Sequence, residues 1–167
     1  GCIVTVKRND KFELKELNDY HSILLSPGPG IPNESGLLKT AIRHYAPSKK
    51  ILGICLGQQA IGEVFGGTLI NLKKVYHGIA TPIKIIKQDY LFKNLPETFI
   101  VGRYHSWVVD TPLPKDLVAT SFDEEGQLMS LRHVKYDVRA VQYHPESCPG
   151  PHDSRYLFDD FIKMSKK

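Results

Sequence analysis

Three short stretches carry residue types that could act together on a carbonyl carbon. In "GICLG" (53–57), Cys55 stands between Gly53 and Gly57. G-x-C-x-G follows the nucleophile-elbow pattern, a strand-to-helix turn too tight for side chains at the flanking positions, with sulfur as the nucleophile. The N–H groups of the opening helix would face the thiol, and that field predicts a pKa below the usual ~8.5. In "AVQYHPES" (140–147), His144 and Glu146 are two residues apart, so in extended chain they project to the same side. Glu146 could then accept one ring N–H and leave the other nitrogen free to take the proton of Cys55. The plain structural alternatives are a small buried cysteine and a strand-end histidine capped by a carboxylate. Zinc binding by Cys55, His144 and Glu146 is disfavoured, because the spacings C-x-x-C and H-E-x-x-H are absent.

The third stretch, "SPGPGIP" (26–32), is a rigid turn directly after the apolar run "SILL". No G-K-[ST] follows and no G-x-G-x-x-G is present, which excludes a nucleotide loop. Gly28 and Gly30 would let backbone approach a ligand. The Gly30 N–H is a candidate for one arm of an oxyanion hole, and the Leu56 N–H, next to the nucleophile, for the other. A tight connection into the next helix is the simpler reading of the same residues.

These groups meet only if the elements behind them line up. "CIVTV" (2–6), "SILL" (22–25) and "ILGI" (51–54) read as buried strands. Between the last two, Leu37, Leu38, Ala41, Ile42 and Tyr45 recur at helical spacing, with Asn33 as the expected N-cap. Strand, helix, strand at this spacing is a βαβ unit and predicts parallel pairing. Residues 68–132 read instead as short strands ("TLINL", "TPIKII", "TFIVG", "LVATSF", "LMSLR") separated by turns, a mixed or antiparallel extension. "VRAVQY" returns to a buried strand, and "RYLFDDFIKM" closes as an amphipathic helix through Leu157, Phe158, Phe161 and Ile162. If "ILGI" and "VRAVQY" are parallel, Cys55 and His144 share the carboxyl edge, where α/β sheets place their sites. The expected fold is α/β, a mostly parallel central sheet flanked by helices with a smaller mixed or antiparallel strand extension.

Length and composition are those of one globular domain: 167 residues, 41% hydrophobic and 24% charged. A net charge of +4, without a dense basic patch beyond the terminal "KMSKK", argues against a nucleic-acid or membrane surface. No apolar run reaches the ~18 residues of a membrane span, and no signal peptide opens the sequence. Three cysteines without C-x-x-C suggest free thiols and a cytoplasmic protein.

Together, "SPGPG", "GICLGQQAIGEVFGG", "RYHSWVV" and "VQYHPES" resemble the class I (triad) glutamine amidotransferase family. Within it they are similar to the chorismate-linked subunits, those of anthranilate synthase and aminodeoxychorismate synthase. The resemblance implies hydrolysis of the glutamine side-chain amide through a γ-glutamyl thioester, with ammonia passed to a chorismate-binding large subunit. Anthranilate is the favoured branch and aminodeoxychorismate a close second. Carried over residue by residue, Cys55 is nucleophile, His144 base and then acid, and Glu146 its orienter. Gly28, Pro29, Gly30, Gln59, Ser106 and Trp107 fall at glutamine-binding positions, and Trp107 reads equally well as a core or interface aromatic. Gln59 also stands one helical turn after Cys55, on the same face, which suits an amide that meets substrate. His77 and His105 are expected to be structural or partner-facing. The resemblance implies no cofactor in this domain and Mg2+ on the partner subunit. Two other readings stay open: a γ-glutamyl hydrolase or peptidase on the same scaffold, and a non-catalytic assembly subunit.

Relative to the family pattern, residues 1–167 read as one glutamine amidotransferase domain whose first strand and helix are missing, and position 58 is Gln where relatives commonly have His.

Overall fold

A computed structural model describes residues 2–147 and 154–164. Its main sheet has seven strands in the order β1-β2-β9-β8-β7-β4-β5. The parallel block is β1 (Ser22–Leu25), β2 (Lys50–Ile54) and β9 (Val138–Val141). β2 is the middle of the three, and its run "ILGI" is wholly buried, as a strand covered on both faces must be. The sheet continues antiparallel through β8 (Leu128–His133), β7 (Leu117–Asp123), β4 (Ile79–Ile85) and β5 (Thr98–Arg103). The expected extension therefore grows from the same sheet. A two-stranded antiparallel sheet, β3 (Leu69–Asn71) with β6 (Trp107–Val109), stands beside it.

Helix α1 (Leu38–Tyr45) buries Ala41, Ile42 and Tyr45, and α2 (Leu56–Val64) is buried over its first seven residues. The closing helix α3 (Tyr156–Met164) buries Leu157 and Phe161, two positions of its expected apolar stripe. Two clusters form the core. One joins α1, α2 and the faces of β1, β2 and β9 that meet them, and the other joins the opposite sheet face to Phe92, Phe99, Tyr143 and α3. Among the described residues, no helix is long and apolar enough to cross a membrane.

Two local expectations are corrected. Helix α1 begins at Leu38 rather than behind an Asn33 cap, and Asn33 lies in a 3-10 turn, Pro32–Glu34. Gly36 explains the delay: its φ is +53°, and a Cβ there would stand 2.7 Å from the Asn9 carbonyl oxygen. "CIVTV" does not join the sheet either. A strand needs a hydrogen-bonding neighbour, and among the described residues β1 pairs only with β2. Ile3 is 99% exposed, and a cavity of about 520 Å³ is lined by Thr5 and Val6 together with Ile23 and Leu25 of β1.

Candidate active site

The site begins where β2 stops. Cys55 follows Ile54 with φ 52° and ψ −101°, the one non-glycine residue with positive φ among the described residues, and Leu56 opens α2. A side-chain-bearing residue held there stores backbone strain, and the turn persists because its surroundings allow no other path. A Cβ on Gly53 would lie 2.7 Å from the Gly57 carbonyl carbon, and one on Gly57 would lie 2.7 Å from the Leu25 carbonyl oxygen. Both glycines are thus required for α2 to fold back so closely over β2 and the end of β1, as the sequence pattern implied.

β9 delivers the histidine to the same edge. Ile54 is in register with Val141, and the Cys55 N–H donates to the Val141 carbonyl at 2.8 Å. Beyond β9, the His144 N–H donates to the Gly102 carbonyl at 2.9 Å, an antiparallel bridge that fastens the segment to β5. The His144 Nδ1 lies 2.7 Å from the Glu146 Oε1, the contact expected from their spacing. The opposite nitrogen, Nε2, is buried and has no hydrogen-bond partner among the described residues. Tyr104 packs edge-on to His144 at 5.0 Å, and its hydroxyl meets the Ser147 Oγ at 3.0 Å.

At rest the thiol turns to a different acceptor, the Tyr104 carbonyl oxygen at 4.0 Å, rather than to His144. Its ionisation also departs from expectation. Burial pushes the Cys55 thiol up to about 11, and the negative charge of Glu146 adds to this. The Leu56 N–H and the Gln142 side-chain amide act in the opposite direction. The helix N-terminus does lower the cost of charge on sulfur, but desolvation of a residue only 6% exposed outweighs it. At rest Cys55 is therefore held as a thiol.

The loops expected to hold substrate surround this edge. Gly28 lies against Leu56, since a Cβ there would stand 2.9 Å from Leu56 Cδ2, and Pro29 leads to Gly30 at φ +74°. The Leu56 N–H already addresses the sulfur. Ser106 and Trp107 sit where β5 returns into β6, and their carbonyls are committed. The Ser106 carbonyl accepts the Leu72 N–H at 2.7 Å, and the Trp107 carbonyl accepts the Gln59 Nε2 at 3.0 Å. Gln59 is buried, and the same Nε2 also donates to the Gln142 Oε1 at 3.4 Å, so its amide nitrogen is spent within the protein. Gln58 is wholly buried, and its amide finds no partner among the described residues.

Behind the loop stands a buried cation that the sequence did not single out. Arg103 pairs with Asp123 at 2.7 Å, lies 3.5 Å over the Tyr76 ring, and donates Nε to the His105 Nε2 at 3.1 Å. Burial, and then the Arg103 charge, push His105 down to about 3, so His105 serves as a neutral structural acceptor. His77 lies edge-on to Tyr104 at 5.5 Å. Gln142 was also missed, although alternation along "QYH" places Gln142 and His144 on one side of the chain.

A strained cysteine thus stands at the carboxyl edge of the parallel block, and a carboxylate-bound histidine reaches the same edge from the adjacent parallel strand. The model of the family "Glutamine amidotransferase class-I" matches residues 1–164, and the chain belongs to that family. Aminodeoxychorismate synthase component 2 of Klebsiella aerogenes is 41% identical over 150 residues, covering 88% of this chain and 80% of that protein. Anthranilate synthase component 2 of Porphyra purpurea is 42% identical over 152 residues, covering 88% and 79%. Among solved structures, a protein from Thermoplasma acidophilum described as a "putative gmp synthase subunit a protein" aligns with a TM-score of 0.82 at 25% identity, over 95% of this chain and 78% of that one. The chain is a glutamine amidotransferase homologous to the small subunits of anthranilate synthase and aminodeoxychorismate synthase.

Proposed function

We propose that the chain hydrolyses the side-chain amide of L-glutamine through a Cys55 thioester and supplies ammonia to a chorismate-binding large subunit in the cytoplasm. The observation that carries this reading is the His144 ring: one nitrogen is held by Glu146 at 2.7 Å and the other is left free at the edge occupied by Cys55. In the first step the sulfur attacks the amide carbon while the Nε2 of His144 takes the thiol proton. The resulting imidazolium, steadied by Glu146, returns that proton to the departing nitrogen, and ammonia leaves. Water then attacks the thioester with His144 as base, giving glutamate and restoring the thiol. The N–H groups of Gly30 and of Leu56, the latter facing the sulfur at rest, are the donors assigned to the carbonyl oxygen as it gains charge. Gly28, Pro29, Ser106 and Trp107 supply backbone to the amino-acid end, and Gln59 holds the Trp107 strand in place.

Ammonia is the same reagent in either branch, so the large subunit decides between anthranilate and aminodeoxychorismate. Relatives of both kinds support that division of labour, at 41% and 42% identity. The test is mass mapping after treatment with a glutamine-like chloroketone. The adduct is expected on Cys55, and preferential labelling of Cys2, which is exposed, or of Cys148, which lies outside the described residues, would overturn the assignment.

A further inference from the structure

The geometry points to Gln142 as a further catalytic residue, whose side-chain amide donates a hydrogen bond to the Cys55 sulfur and ties the nucleophile to the substrate loop. The Gln142 Nε2 lies 3.6 Å from Sγ, a normal length for an N–H···S bond. The side chain is fully buried, so its polar atoms must find partners in the protein.

Which end of the amide faces sulfur follows from the chain of donors behind it. A carbonyl oxygen can only accept, so the Trp107 carbonyl fixes the Gln59 Nε2 towards itself at 3.0 Å. The second N–H of that nitrogen then points to the Gln142 side chain, which must present its oxygen, at 3.4 Å. With its oxygen so engaged, Gln142 has only N–H to offer Cys55. The polarity of the relay therefore runs from the Trp107 backbone through two buried amides to the reacting atom. Together with the Leu56 N–H, it aims two donors at the resting sulfur, an arrangement that favours the thiolate left when the proton departs. Among ionisable side chains, Glu146 from the turn after β9 acts on the sulfur and opposes its charge. A displacement of the Trp107 strand would be felt at the sulfur without any direct contact between the two.

This inference rests on Cys55 being the nucleophile, and two substitutions separate it from a merely structural role. Gln142→Glu keeps an oxygen for Gln59 and, as the carboxylate, removes the donor, whereas Gln142→Met keeps the volume and removes both polar ends. Iodoacetamide alkylation of Cys55 in the 167-residue chain at pH 8 is expected to slow about 10-fold in both variants, the effect of one lost hydrogen bond to a charged group. Wild-type rates in Gln142→Glu would show that only the acceptor matters, and wild-type rates in Gln142→Met that only the added charge does; either result overturns the proposal. Should neither variant fold, the wild-type chain labelled with 15N-glutamine decides. The Gln142 carboxamide resonance must move on alkylation of Cys55, and an unmoved resonance refutes the bond. A wild-type Cys55 that resists alkylation altogether would instead refute the nucleophile assignment.

Discussion

The Gly102 carbonyl holds the His144 N–H at 2.9 Å, and a Cβ on Gly102 would stand 2.1 Å from the Ser147 carbonyl oxygen. The turn bearing His144 and Glu146 is thus pressed onto β5 at a point where only glycine fits. Gly102→Ala must push that turn away by an amount on the order of 1 Å, and such a misplacement costs roughly 100-fold in rate. Glutaminase kinetics with circular dichroism as a folding control check this, and activity within twofold of wild type would show that His144 is positioned by something else.

Glu146 touches the ring and is half exposed, while nothing places it against substrate. Glu146→Gln should therefore lower kcat by roughly 100-fold and leave KM for glutamine nearly unchanged, because the loss is of imidazolium stabilisation and ring orientation. A raised KM with unaltered kcat would assign Glu146 to binding.

The resting thiol predicts a pH profile. Burial raises Cys55 to about 11, well above the ordinary thiol range, so the fold favours the protonated form. The stability linked to that preference is intact below pH 9 and is lost as pH rises from about 9 towards 11. Without glutamine, alkylation of Cys55 should accordingly keep climbing through pH 9 and 10. A plateau reached by pH 8 would mean that the thiolate is preformed.

Gln58 offers a stability test independent of chemistry. Its amide is wholly buried without a partner among the described residues, and such a group costs about 1–3 kcal/mol. Gln58→Met keeps the volume and removes the polar atoms, so the denaturant midpoint should rise. An unchanged or lower midpoint would mean that the amide is satisfied in solution.

Much of this site could be read from residue types. "SILL" is β1 to the residue, and the spacing of its neighbours gave the βαβ unit. The glycines flanking Cys55 and the His144–Glu146 spacing are local signals, and local geometry honours them. What stayed hidden depends on partners distant in sequence. Gly36 moves the start of α1 because Asn9 presses against it, and "CIVTV" is apolar yet lacks a strand to pair with among the described residues. The relay through Gln59 and Gln142 spans 83 residues, and the thiol's high pKa follows from burial, which a motif does not report. A helix N-terminus and desolvation act on Cys55 with opposite signs, and only the packed structure tells which is larger.

The proposed division of labour gives Cys55 the release of ammonia and no other part in the amination. The measurement is product formation by a complex of the Cys55→Ser chain with a chorismate-binding large subunit, supplied either with glutamine or with ammonium salt at alkaline pH. Glutamine-dependent product should fall to background while ammonia-dependent product stays at the wild-type level. Loss of both activities in an assembled complex would show that Cys55 does more than release ammonia.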